Sequence, residues 1–125
     1  MATWDDVARL ARALPEATEE PTHDQNRSWR VRGKAFAWER PLRRKDVAEL
    51  GDAAPAGPVL CASVPDVGVR AALIADSPDV YFTTAHFHGY PAVLVQLKVV
   101  HKRVLREALI DGWSAVAPAR LTRSP

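Results

Sequence analysis

His86-x-His88 is the pair of side chains with metal-like spacing in this chain. On an extended strand, residues two apart face the same side, so both imidazoles could reach one ion. Two ligands do not make a site, and a third would have to come from His23, Asp24 or Cys61, all remote in sequence. The plainer reading is loop histidines bonded to backbone or water, and the remaining one is contact with phosphate. Glu19, Glu20, Asp24, Glu39 and Asp66 supply carboxylates, but no pair has a spacing that implies a general acid and base. The glycines fit neither a phosphate-cradling loop nor a dinucleotide fingerprint. Ser63 and Ser114 lack a nucleophile elbow, and Cys61 lies in the apolar run Val59-Leu60-Cys61-Ala62, where a small buried hydrophobe is expected. The expectation is a protein with no catalytic residues, no metal and no cofactor.

The basic residues are more informative. Of 17 Lys and Arg, 13 are Arg, against 15 acids, so the net charge is only +2. Forked guanidinium donors suit phosphate or carboxylate better than an ammonium does, so this composition permits an anionic partner without requiring one. Residues 28–40, Ser-Trp-Arg-Val-Arg-Gly-Lys-Ala-Phe-Ala-Trp-Glu-Arg, have the alternation of an amphipathic hairpin. A type II′ turn at Gly33-Lys34 would pair Val31 with Phe36 and Trp29 with Trp38 on one buried face. Arg30 and Arg32 would then stay wet on the other. A second cluster, Arg40, Arg43, Arg44 and Lys45, reads as a solvated loop or as a phosphate contact. Lys102, Arg103 and Arg106 crowd the start of a helix, where the macrodipole disfavours cations. Solvation is again the simpler reading, and a docked anion the other.

These groups must be positioned by a modest set of elements. Thr3 and Asp6 form a capping box for a helix over Thr3–Leu14 that stops at Pro15. Residues 16–27 are polar and read as a loop. The hairpin follows, then a Pro- and Gly-rich excursion from Pro41 to Pro58 with a short helical stretch at Lys45–Leu50. Val59–Val64 reads as a strand, and Asp66 caps a helix to about Ala75 that would bury Val69, Ala72 and Leu73. Val80–Thr84 and Ala92–Leu97 form a second antiparallel pair, and the last helix spans about Lys102–Ala117. The order α-β-β-β-α-β-β-α implies a two-layer α+β fold, an antiparallel five-stranded sheet with helices on one face, in one domain over residues 1–125. A chain of this size can bury about two-thirds of its unfolded surface without staples. With one cysteine, no apolar run of about 20 residues and no signal-like N-terminus, a cytoplasmic protein that stays off membranes is expected.

Three stretches together resemble the MmcQ/YjbR family. They are Trp29-Arg30-Val31-Arg32-Gly33-Lys34-Ala35-Phe36-Ala37, the run from Val80 through His86-Phe87-His88-Gly89-Tyr90-Pro91 to Val95, and Trp113 with Val116-Ala117-Pro118-Ala119-Arg120-Leu121. The resemblance implies a frataxin-like or secretion-chaperone-like α+β fold and a double-wing mode of DNA binding. Its first wing would be the hairpin, with Arg30, Arg32 and Lys34 toward phosphate. The second would be the turn from His86 to Pro91, which carries His86 and His88, with Arg120 adding a contact; from the residues themselves, Arg43 and Arg44 are expected to join Arg30, Arg32 and Lys34 in meeting phosphate. The long Pro41–Pro58 excursion and the basic start of the last helix depart from the family pattern. Iron handling of the frataxin kind would need an acidic ridge, whereas the first helix offers Asp5 and Asp6 beside Arg9 and Arg12. The expectation is a non-enzymatic DNA-binding protein contacting phosphates. The alternative is a peptide- or small-ligand-binding module, with a protein or small-molecule partner, and an apolar patch or deep pocket beside Trp29, Trp38 and Tyr90 would favour it.

Overall fold

In a computed structural model, which describes residues 2–122, the chain folds around an antiparallel sheet of six strands in the order β1-β2-β3-β4-β6-β5. The strands are β1 (Ala17–Pro21), β2 (Arg27–Val31), β3 (Lys34–Glu39), β4 (Val59–Ser63), β5 (Tyr81–Phe82) and β6 (Ala92–Gln96). The helices are α1 (Trp4–Arg12), α2 (Arg44–Leu50), α3 (Val67–Asp76), α4 (Lys102–Val116) and α5 (Ala119–Thr122). The α+β class is as expected, with one strand more. The missed strand is β1, Ala-Thr-Glu-Glu-Pro, a polar edge strand with no apolar alternation to betray it. Its inward position is filled by Glu19, whose carboxylate accepts from the Arg27 guanidinium at 2.8 and 3.1 Å and from the Trp29 indole N–H at 3.0 Å. The Arg27 hydrogen bond therefore holds the Glu19 carboxyl below its ordinary range.

One face of the sheet carries the main core. Val7, Ala8 and Ala11 of α1 and Leu105, Leu109 and Trp113 of α4 pack there on Trp29, Val31, Phe36, Leu60, Val93 and Val95, with Leu73 and Ile74 of α3 alongside. The Thr3–Asp6 capping box starts α1 as the sequence indicates. Asp66 likewise caps α3, its Oδ1 accepting from the Val69 N–H at 2.9 Å. The Trp113 indole N–H donates to the Pro15 carbonyl at 3.0 Å, tying the last long helix to the end of the first. Helix α4 comes unusually close to the sheet at Gly112, where an added Cβ would lie 2.8 Å from the Phe36 carbonyl oxygen.

The hairpin differs from its expected register in two ways. The two-residue loop is Arg32-Gly33, with φ of 53° and 80°, so both central residues are left-handed as a type I′ turn requires. Val31 therefore faces Lys34 and Arg30 faces Ala35. A register shift then places Trp29 opposite Ala37 and Ser28 opposite Trp38, leaving Phe36 as the extra residue of a β-bulge. The bulge lets Phe36 and Ala37 both be buried in the main core and sends Trp38 to the other side of the sheet. Trp29 and Trp38 thus lie on opposite faces.

That second face is covered only in part. Val59, Cys61, Phe87, Ala92 and Leu94 form a small cluster there, with Trp38, Leu42 and Phe82 against it. Its lid is the segment between β5 and β6, a 3-10 turn at Ala85–Phe87 followed by a bend, rather than a continuation of the strand to Thr84. Helix α2 braces the lid, with Glu49 accepting from the Ala85 N–H at 3.1 Å. The other brace is Arg70. It is buried on α3, where the sequence pattern placed Val69 and Ala72, which are exposed. One Nη1 donates to the carbonyls of Phe87, Tyr90 and Ala92 at 2.9, 2.8 and 3.1 Å.

Two outcomes follow from this packing. Gly112→Ala should lower stability to urea by about 1–3 kcal/mol, because backbone rather than a mobile side chain meets the new methyl. An unchanged midpoint would contradict the close approach. Arg70→Met should cost on the order of 3 kcal/mol by leaving buried carbonyls unmet, and should speed amide hydrogen exchange across residues 87–92 before the rest of the sheet. Uniform exchange would contradict the brace.

Candidate nucleic-acid interface

Because the bulge turns Trp38 outward from the main core and the 85–91 lid stops short of the hairpin, the second face is left as an open trough. Two hollows of about 560 Å³ each meet along it, sharing Thr22, Trp38 and Tyr90 as lining residues. The first is bounded by Arg40, Leu42, Arg43, His86 and Phe87 on one side and Asp24 and Asn26 on the other. The second runs over Ser28, Arg30 and Lys34 to Ser63, Pro65, Pro91 and the end of α4 at Ala115 and Val116. Trp38 is half-buried and Tyr90 is 52% exposed. Two aromatic rings thus lie between a rim holding the Arg43 cation and the His86 imidazole and another holding Arg30 and Lys34.

The floor of the first hollow is charged and dry. Arg40, just after β3, has 7% of its side chain exposed and lies 3.2 Å from the equally buried Asp46 carboxylate of α2. Its guanidinium carbon lies 5.3 Å from the Phe87 ring centroid, a cation–π contact from below. Burial alone would raise the Asp46 carboxyl, but the Arg43 N–H at 2.8 Å and the Arg40 charge hold it below its ordinary range. Arg40 is therefore spent on fixing α2 to the sheet, and the cations at the rim are the ones left to meet an anion.

The eight residues singled out from sequence separate into groups. Arg30, Lys34, Arg43 and His86 line the trough. Arg30 is steered by weak local bonds, to Ser28 Oγ at 3.3 Å and the Gly33 carbonyl at 3.2 Å, with Glu20 no nearer than 4.0 Å. Arg44 and His88 are exposed beside the trough without lining it. Arg32 is corrected. It occupies the turn itself and forms a bidentate pair with Glu16 at 2.6 and 3.1 Å, its carboxylate partner pulled below its ordinary range by that bond. Arg120 acts electrostatically on the same Glu16, so the wing tip faces an acid. Sequence reasoning missed Trp38, which it buried beside Trp29, and Arg40 as a floor residue. A bulge leaves no mark in residue alternation that could have revealed either.

His86 and His88 lie on and just after a 3-10 turn, both exposed, rather than on one side of a strand. Among the described residues, no group of three or more His, Cys, Asp or Glu could hold a metal ion. Cys61 is fully buried, and burial raises its thiol far above the ordinary range, which makes it a packing residue. His101 caps α4, with Nδ1 accepting from the Arg103 N–H at 3.1 Å. Lys102 beside it reaches Asp6 of α1 at 3.7 Å. No helix among the described residues is long and apolar enough to cross a membrane.

Comparison with known proteins agrees with this architecture. Uncharacterized proteins of Mycobacterium bovis and Mycobacterium tuberculosis are each 48% identical to the chain over 127 residues, covering 99% of it and 95% of their own length. The crystal structure of Deinococcus radiodurans protein DR2400, a DUF419 domain, superposes with a TM-score of 0.70 at 20% identity over 98% of this chain and 84% of that one. At that identity the likeness is one of fold. The YjbR family matches residues 12–115, most of the chain and all six strands. The chain belongs to the YjbR family.

Proposed function

We propose that this protein is a non-enzymatic, cytoplasmic DNA-binding module that lays a single-stranded segment along the open face of its sheet. The observation that carries the reading is the pairing of Trp38 and Tyr90 with cations on both sides of them. Arg30, Lys34 and Arg43 would meet successive phosphates, with His86 at the far rim. The indole and phenol rings would take unstacked bases, an interaction every base can make. A duplex hides its base faces, and the hairpin tip that would enter a groove has its Arg32 engaged by Glu16. Contacts of this kind fix position without reading sequence. A peptide or small anionic ligand is the second reading, favoured by the metabolite-scale volume of the hollow floored by Arg40 and Phe87.

Fluorescence anisotropy with a labelled 20-nucleotide oligothymidylate tests this directly. Affinity should fall with salt, with a log–log slope near −2, as expected for about three neutralised phosphates on a single strand. Arg30→Glu with Lys34→Glu should abolish binding at low salt without shifting the unfolding midpoint. Trp38→Ala should weaken binding by roughly 5- to 100-fold, corresponding to about 1–3 kcal/mol for one stacked base. Equal affinity for the matching duplex, or a response to thymidine monophosphate as strong as to the oligomer, would favour the second reading. Absence of binding to any of these at low salt would contradict the proposal.

A further inference from the structure

The helix-covered side holds a separate cavity that the trough does not use. It measures about 320 Å³ and lies between α3 and α4 over strands β4, β6 and β5. Its walls are apolar: Ala62 and Val64 of the β4 end, Val69 and Leu73 of α3, Val93 of β6 and Ala108 of α4. Its polar lining is Ser63, Ser114, Tyr81 and two carboxylates, with no cation among them. Glu107 and Asp111, one helical turn apart on α4, stand exposed at its mouth, and Tyr81 of β5 lines it with only 5% of the residue exposed.

None of the three has a partner of the kind its chemistry asks for. The Tyr81 ring is buried while its hydroxyl, which makes no hydrogen bond to another described residue, is left for a ligand or water to meet. Glu107 and Asp111 form no ion pair among the described residues, and like charges spaced i,i+4 repel. No lysine, arginine or histidine lines the cavity. Burial and the Glu107 charge raise the Asp111 carboxyl, and burial with Asp111, Glu107 and Asp76 raises the Tyr81 phenol. The cavity mouth therefore carries two carboxylates with no cation lining it.

We propose that this cavity binds a small organic cation, a primary ammonium on a compact hydrocarbon body. The hydrocarbon displaces water from the walls formed by Leu73, Val69, Val93 and Ala108. The ammonium, with three donors and no acceptor, bridges the Glu107 and Asp111 carboxylates at the mouth and gives the Tyr81 hydroxyl oxygen a donor. An anion is disfavoured by the same carboxylates, so this site and the cationic trough select ligands of opposite charge.

Titration of the full chain with benzylammonium, followed by amide chemical shifts, tests the assignment. Benzylammonium should saturate with shifts centred on residues 62–65, 69–73 and 107–114, and benzyl alcohol should bind at least tenfold more weakly. Glu107→Gln with Asp111→Asn should reduce benzylammonium affinity at least tenfold while leaving benzyl alcohol unchanged. Because both side chains are exposed and repel one another, that variant should unfold at a higher temperature than the parent. Val69→Trp, which fills the mouth, should abolish binding of both probes. Equal affinity for alcohol and amine, indifference to the double substitution, or shifts that never saturate would overturn the proposal.

Discussion

The one-residue bulge at Phe36 is the constraint on which the rest of the molecule depends. A regular β2–β3 ladder would keep Trp29, Phe36 and Trp38 within the period-2 alternation of one strand pair, and every side chain beyond the slip would change faces. With the bulge, Phe36 and Ala37 both serve the core beneath α4, and Trp38 emerges on the side that α1, α3 and α4 leave free. The close approach of α4 at Gly112 belongs to the same device, since the carbonyl it nearly touches is that of Phe36. A helix seated on the bulge fixes the register of the hairpin, and the hairpin register decides which aromatic ring meets solvent.

The two faces then carry different work. The helix-covered face buries large apolar side chains and supplies the stability of the fold, with tryptophan N–H groups satisfied by Glu19 and by the Pro15 carbonyl. The other face is closed at one end by a lid that buries Phe87 in the small apolar cluster and is held further by Arg70 from below and Glu49 from the side. Charged side chains add to the hydrocarbon contact in this region, and Arg40 with Asp46 repeats the pattern. A buried guanidinium bonded to backbone carbonyls is costly to remove but geometrically demanding, so it holds a turn in one shape. That rigidity keeps Tyr90 displayed beside Trp38.

Much of the scaffold was legible in sequence because local rules decided it. Thr3 with Asp6, and Asp66, are capping signals that act within one turn, and both helices start where those residues place them. The β4 and β6 runs were readable because strands buried on both faces show continuous apolar stretches. Elements settled by distant partners were not readable. Strand β1 exists because Glu19 finds Arg27 and Trp29, a pairing that no polar stretch announces. The burial of Arg70 has no local signal because its acceptors lie 17 to 22 positions away. In the candidate site, Arg30, Lys34, Arg43 and His86 were legible, but the pairing of Arg32 with Glu16 and the outward turn of Trp38 both required the third dimension.

The central claim is that the open face, through Trp38, is where a nucleic-acid strand lies. The indole N–H resonances of the four tryptophans, followed by two-dimensional NMR as oligothymidylate is added at low salt, test it most directly. The Trp38 resonance should shift saturably and return when salt is raised, while those of Trp29 and Trp113, held by Glu19 and Pro15, stay in place. A stationary Trp38 resonance in the presence of bound strand would contradict the account.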